Sequence, residues 1–165
     1  MLSSWTLRRI ERDDLSVITA WIQNEEALTR WAGSNLSWPI DEEALWTMLD
    51  SAESLPLVMA TDHDVMAFGQ ILALKPDTLH LSLLVVSPEF RGRRLGEHMS
   101  LALLKRGMAR WPSATHVTLD VGRDDKAALA MSRRLGFQEA GAPEDAVGRV
   151  PLVHVLQTRW GDGRS

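Results

Sequence analysis

Neither cysteine nor tyrosine occurs among the 165 residues. Without thiols the chain forms no disulfide, carries no thiolate nucleophile and builds no Cys-ligated metal site. Without a phenol, no tyrosine serves it as a general acid. Long apolar runs are missing too, since none approaches the ~20 residues that a helical membrane span needs. The opening MLSSWTLRRIERDD lacks the charged-then-apolar layout of a secretory signal. The cytoplasm is the expected location, with no membrane association. The five histidines (His63, His80, His98, His116 and His154) show no metal-ligand spacing, so no metal is expected. There is no internal repeat and no low-complexity tract.

The length fits one domain with a sizeable core, expected over residues 1–160, with 161–165 as a flexible tail. The net charge is −4, unevenly spread. Residues 1–60 carry four basic side chains against ten acidic ones, whereas residues 91–134 carry ten basic against four acidic. Either these are solvated helix faces, or the basic half meets a polyanionic ligand and the acidic half a cationic one. The basic half lacks the interleaved aromatics of single-strand binding, so no nucleic-acid partner is expected.

Periodicity predicts strands over Trp5–Ile10, Leu55–Thr61, Val65–Leu74, Leu79–Val86 and His116–Val121, and a last pair near Gln138–Ala142 and Leu152–Arg159. Helices are predicted after a cap at Asp13 or Asp14, from Asn24 to about Gly33, after a cap at Asp41, from Leu95 to Trp111, and from Asp125 to Leu135. Ile40 and Leu45 are spaced for a hydrophobic staple, and Gly136 for a left-handed C-terminal cap. This order gives a mixed α/β fold: a largely antiparallel sheet of about seven strands flanked by helices. Trp31, Trp38 and Trp46 lie in the tryptophan-rich first third. They are either core or a substrate-binding wall.

The most informative stretch runs from Leu79 to Leu104. Strict alternation would put Leu79, Leu81, Leu83 and Val85 on one face, and His80, Ser82, Leu84 and Val86 on the other. Pro88 ends the strand, and Arg91-Gly92-Arg93-Arg94-Leu95-Gly96 opens a helix. Unpaired N–H groups, the positive end of the helix dipole, close backbone approach at glycine and three guanidiniums make this a phosphate-binding turn.

Val86 through Gly96 resembles the acetyl-CoA signature of the GNAT superfamily of acyl-CoA-dependent N-acyltransferases. Arg91 and Gly96 match its pattern, and Arg94 stands where a glycine is usual. Asp125 through Phe137 resembles a second signature helix of that family, matching at Ala128, Leu135, Gly136 and Phe137. There Asp125 replaces the usual Asn and Ser132 the usual Tyr. The stretch LRRIERDD and the helices after it are similar to the branch that acetylates ribosomal-protein N-termini.

The resemblance implies a central strand splayed from its neighbour, with acetyl-CoA as co-substrate and no metal. It implies backbone contacts from Leu84, Val85 and Val86 to pantetheine, with the Val86 N–H as an oxyanion donor. Amides of Arg91, Gly92, Arg93, Arg94, Leu95 and Gly96 would hold the pyrophosphate, and Asp125 and Ala128 would lie beside the cofactor. Ser132 would bond the leaving sulfur or relay a water. His80 is the expected base, with an ordinary pKa of ~6.5 suited to proton removal near neutrality. Asp77 is a weaker alternative. The implied activity is acetyl transfer to a primary amine, on a small molecule or a protein N-terminus, by a monomer or homodimer. A non-catalytic acyl-CoA-binding module on the same fold is the alternative. No Walker-type or full GxGxxG motif supports a different nucleotide site.

Overall fold

The alternating segments become seven strands and five α-helices in a computed structural model that describes residues 4–145 and 148–156. In chain order they are β1 (Thr6–Arg9), α1 (Asp14–Ala20), α2 (Glu25–Ala32), α3 (Glu42–Leu49), β2 (Ser54–Ala60), β3 (Val65–Lys75), β4 (Thr78–Val86), α4 (Leu95–Arg110), β5 (His116–Gly122), α5 (Lys126–Arg134), β6 (Gln138–Glu139) and β7 (Arg149–Val155). The strands form one sheet in the order β1-β2-β3-β4-β5-β7-β6. Only β4 and β5 run parallel. The expected mixed, largely antiparallel seven-strand architecture is thus observed.

Local chemistry sets most boundaries. The Asn24 side chain accepts from the Ala27 N–H at 2.8 Å and starts α2. Asp41 accepts from the Glu43 N–H at 3.0 Å and starts α3, with Ile40 and Leu45 packed in the same cluster. At α1 the expectation fails. Asp13 makes no cap bond, and the buried Asp14 carboxylate instead accepts from Arg8 at 2.8 and 3.0 Å and from the Glu11 N–H at 2.7 Å. A buried carboxylate needs paired donors more than the first turn of a seven-residue helix needs a cap. Strand β7 starts at Arg149, inside the expected loop. Its expected end at Arg159 and the tail lie outside the described residues. No helix among the described residues is long and apolar enough to cross a membrane.

Two apolar clusters sandwich the sheet. Leu95, Met99, Leu103 and Leu104 of α4 pack on one face with Ile71, Leu79 and Leu81. Leu15, Ile18, Leu28, Trp31, Leu45 and Leu49 of α1–α3 pack on the other with Val58, Phe68 and Leu83. Gly69 lets α4 approach, because a Cβ there would stand 2.6 Å from Leu103.

Strict alternation along β4 is not what the structure contains. Gln70 pairs with Ser82 and Phe68 with Val85, so β4 carries one extra residue across from β3. Leu83 takes a φ of +58°, in the left-handed region. A one-residue slip transfers the following side chains to opposite faces. Leu83 and Val85 therefore join the α1–α3 cluster, while Leu84 and Val86 join the α4 cluster with Leu79 and Leu81. His80 and Ser82 share their side with Leu83, not with Leu84 and Val86 as the alternation implied. Left-handed backbone costs a residue such as leucine about 1–2 kcal/mol. The buried Trp31 offsets part of this, since its Nε1–H donates to the Leu83 carbonyl at 2.7 Å and its ring packs 6.4 Å from Phe68. Trp31→Phe should keep the packing and orphan that carbonyl, lowering the free energy of unfolding by about 1–3 kcal/mol in a urea titration. An unchanged midpoint would show that the bulge stands without the indole.

Candidate functional site

Strands β4 and β5 pair from Thr78–His116 to Leu81–Leu119 and then part, although β4 continues to Val86 and β5 to Gly122. Beyond the bulge their facing edges bound a slot of about 110 Å³. Ser82, Leu83, Leu84, Leu119, Asp120 and Val121 contribute the walls, with Trp31 at one mouth and Ala128 and Met131 of α5 at the other. The slot thus passes through the sheet. Ser87 N–H donates back to Met66 on β3 at 2.8 Å, and successive strand amides point to opposite edges, so Val86 N–H is directed to the β5 side.

At the α5 end of the slot lies the basic turn, around a cavity of about 160 Å³ lined by Val86, Phe90, Arg91, Gly92, Arg94, Gly96, Met131 and Arg134, among others. Gly92 has φ +82° and Arg94 φ +57°. The left-handed backbone at Arg94 explains why glycine suits that position. Here a residue that brings charge occupies it at a conformational cost. No side chain caps α4, so its first amides face the cavity without internal partners. Arg91, Arg93 and Arg94 have no ion-pair partner among the described residues, and Arg93 lies 5.5 Å above the Phe90 ring. Among the described residues Glu97 is the one carboxylate in the lining, and Arg134 holds it with bonds of 3.0 and 2.8 Å. This pairing keeps its charge from opposing an anion at the turn. Gly96 tolerates a Cβ, which would make only ordinary contacts of 3.6 Å or more.

At the α2–α3 end the slot meets a cavity of about 460 Å³, bounded by Met48, Glu53, Gln70, Leu72, His80, Ser82 and Asp120, among others. Among the described residues no lysine or arginine lines it, and Glu53 and Asp120 give it negative character. The His80 side chain is 18% exposed. Its Nδ1 stands 2.7 Å from Thr118 Oγ1, and the Thr118 hydroxyl donates to the Leu79 carbonyl at 3.4 Å. That assigns the ring proton to Nδ1 and leaves the Nε2 lone pair 3.7 Å from Asp120 Oδ2. The ring nitrogen and the carboxylate thus face each other as two acceptors. Burial lowers the His80 pKa below its ordinary 6.5. The Asp120 carboxylate acts in the opposite sense, and Arg149, 4.0 Å from Asp120, adds to the lowering. The ring is therefore neutral at pH 7 and able to take a proton.

The expected site residues divide into those brought together and those kept apart. Arg91 to Gly96 form the turn, Leu84 and Ala128 line the slot, and Val86 lines the cavity at the turn. The Val85 side chain packs into the α1–α3 cluster. Asp125 also borders the slot, and its carboxylate caps α5 by accepting from the Ala128 N–H at 3.1 Å, the service an Asn side chain would give. Ser132 is fully buried, and its hydroxyl donates to the Ala128 carbonyl at 2.7 Å. It lines none of these three cavities. Of the three tryptophans, Trp31 alone lines one of these cavities. Trp31 props the bulge, Trp38 is exposed, and Trp46 lies on α3 with the Arg12 guanidinium 5.0 Å over its ring. Sequence reasoning missed Asp120, Gln70, Met131 and Arg134. Their only signal was position, Asp120 lying two residues along β5 from the partner of His80. Among the described residues no group of side chains could hold a metal.

His80 should titrate below 6.5 in an NMR pH series, and Asp120→Asn should lower its midpoint further by removing the carboxylate that favours the cation. Because the folded ring binds its proton more weakly than the unfolded one, this group makes stability fall as pH drops from 6.5 through the folded value. A midpoint above 6.5 would contradict the neutral-ring assignment.

Comparisons with known proteins agree with this architecture. No curated protein matches the chain. Among solved structures, a PaiA N-acetyltransferase from Thermoplasma acidophilum in complex with coenzyme A superposes with a TM-score of 0.73 at 16% identity, covering 93% of this chain and 100% of that one. An aminoglycoside acetyltransferase in complex with coenzyme A gives 0.73 at 16%, covering 98% and 100%. A ribosomal-protein alanine N-acetyltransferase from Escherichia coli gives 0.69 at 19%, covering 93% and 95%. At such identities the likeness is one of fold. The family model described as acetyltransferase (GNAT) family matches residues 25–137, spanning the bulged strand, the basic turn and the helix that follows the slot, and the chain belongs to that family.

Proposed function

We propose that the protein is an acetyl-CoA-dependent N-acetyltransferase that moves the acetyl group to a cationic primary amine by direct transfer in a ternary complex. The observation that carries this reading is continuity. The anion-binding turn shares Met131 with the slot, and the slot shares Ser82, Leu83 and Asp120 with the acidic cavity. A long thioester anchored by its diphosphate at one end would thread the sheet and present its acyl carbon where the amine collects. Acetyl-CoA supplies the activated acyl group, and the chain supplies the rest. Amides of Leu95 and Gly96, with Arg91 and Arg94, bind phosphate oxygens. Asp120 holds the incoming ammonium, and His80 Nε2 accepts its proton, freeing the lone pair for attack. Val86 N–H faces the charge that develops on the carbonyl oxygen. Ser132 serves by fixing α5 beside the slot. Solved neighbours described as binding coenzyme A with an aminoglycoside support a cationic acceptor. A non-catalytic acyl-CoA-binding module is the second reading, favoured by the missing tyrosine and the engaged Ser132 hydroxyl.

Thiol release from acetyl-CoA over a panel of small amines and peptides should separate the two. Acceleration by at least one amine is expected, and His80→Ala should slow it most below neutral pH. Release that no amine accelerates would leave the binding module. Reversing Arg91 and Arg94 together to Glu should abolish calorimetric binding of acetyl-CoA, and retained affinity would remove the phosphate assignment.

A further inference from the structure

The departing sulfur needs a hydrogen-bond donor, and the residues so far named do not give it one. The chain has no tyrosine, and the Ser132 hydroxyl is spent on a helix carbonyl. Of the three residues shared by the slot and the acidic cavity, Leu83 has no polar side-chain atom and Asp120 is an acceptor. The third is Ser82. Its oxygen accepts from Gln70 Nε2 at 3.0 Å, while Gln70 Oε1 accepts from the Ser54 hydroxyl at 2.6 Å. Gln70 and Ser54 are both buried. With the amide in this orientation Gln70 donates to Ser82 and does not accept from it. The Ser82 hydrogen is thereby left without an acceptor among the described residues, at the junction of the two cavities. A buried, paired relay that ends in one free donor is a preorganised device.

We infer that Ser82 is a further catalytic residue, donating a hydrogen bond to the thioester sulfur as it leaves. The inference rests on the acetyl-transfer reading and deepens it. His80 passes the proton it took from the ammonium to solvent; as the new C–N bond forms, the second proton on nitrogen passes to His80, and the C–S bond then breaks with its electron pair going to sulfur. Ser82 keeps its proton and stabilises the thiolate by the hydrogen bond alone. The thiolate takes its proton from solvent on release. The bulge matters here because Leu83, the next residue, turns the chain so that Ser82 stays on the His80 side while Leu84 turns toward α4.

Two measurements test this. The first needs no turnover. The ultraviolet absorbance of the thiolate of bound CoA is followed against pH in the wild type and in Ser82→Ala, each with CoA affinity measured by calorimetry. Equal affinity is expected, with the bound thiol holding its proton about tenfold more tightly in the variant. Coincident titrations would overturn the inference and leave the transferase reading intact, whereas failure of the wild type to bind CoA would overturn that reading instead. The second is kinetic. Ser82→Ala should lower kcat about ten- to hundredfold with little change in the KM of either substrate, and Ser82→Thr should restore it. Gln70→Glu is the control if Ser82→Ala folds poorly. Its carboxylate would draw the Ser82 hydrogen to itself, so kcat should fall as pH rises and recover as the carboxyl is protonated. An unaltered kcat in these variants, or a change confined to the amine KM, would refute the role.

Discussion

The hydrogen bond from the Trp31 indole to the Leu83 carbonyl, 2.7 Å long, joins a helix of the N-terminal third to the one strained residue of the central strand. Much of the site's geometry depends on that strain. The extra residue at Leu83 shifts the phase of β4, so Leu84 and Val86 turn toward α4 while His80 and Ser82 stay opposite. It also ends the ladder with β5, since a bulged strand twists away from its partner. A slot through a hydrogen-bonded sheet is otherwise costly, because it leaves backbone donors and acceptors unpaired. Here those unpaired groups are what a thioester arm would use. The indole bond, the bulge and the slot form one construction, in which the fold carries local strain to keep polar backbone available.

Charge is arranged along the same axis. The uncapped start of α4 and the guanidiniums of Arg91 and Arg94 make one end of the passage positive, while Asp120 and Glu53 make the other negative. The one carboxylate at the positive end, Glu97, is neutralised by Arg134 from α5. At the negative end Arg149, bonded to Asp145 at 2.7 Å, stands 4.0 Å from Asp120 and tempers its charge. Burial outweighs Asp120 at His80, so a carboxylate and a neutral imidazole coexist at close range. Under the proposed acetyl transfer that combination would attract a cation and then deprotonate it, which neither group does as well alone.

Much of this was legible in the residues. The turn Arg91–Gly96 was readable because glycine, arginine and a helix start are local signals, and local signals survive folding. The same holds for the caps at Asn24 and Asp41 and for the staple of Ile40 and Leu45. Where sequence reasoning erred, a tertiary demand had overridden a local rule. Asp14 gave up capping to pair with Arg8, and the alternation along β4 broke because a bulge leaves no mark in a run of leucines. Ser132, whose catalytic role only the resemblance implies, bonds the carbonyl four residues back, as a helical hydroxyl readily does.

The succession of strands and helices along the chain, the caps at Asn24 and Asp41, the basic turn and the family are written in short-range patterns of polarity, glycine and charge. Which side chains meet is settled by pairing across the sheet. Asp120 comes to His80 because the parallel pairing sets Thr118 beside it, and Gln70 comes to Ser82 because the β3–β4 register pairs them. Those contacts join residues far apart in the chain, and register, not composition, fixes them.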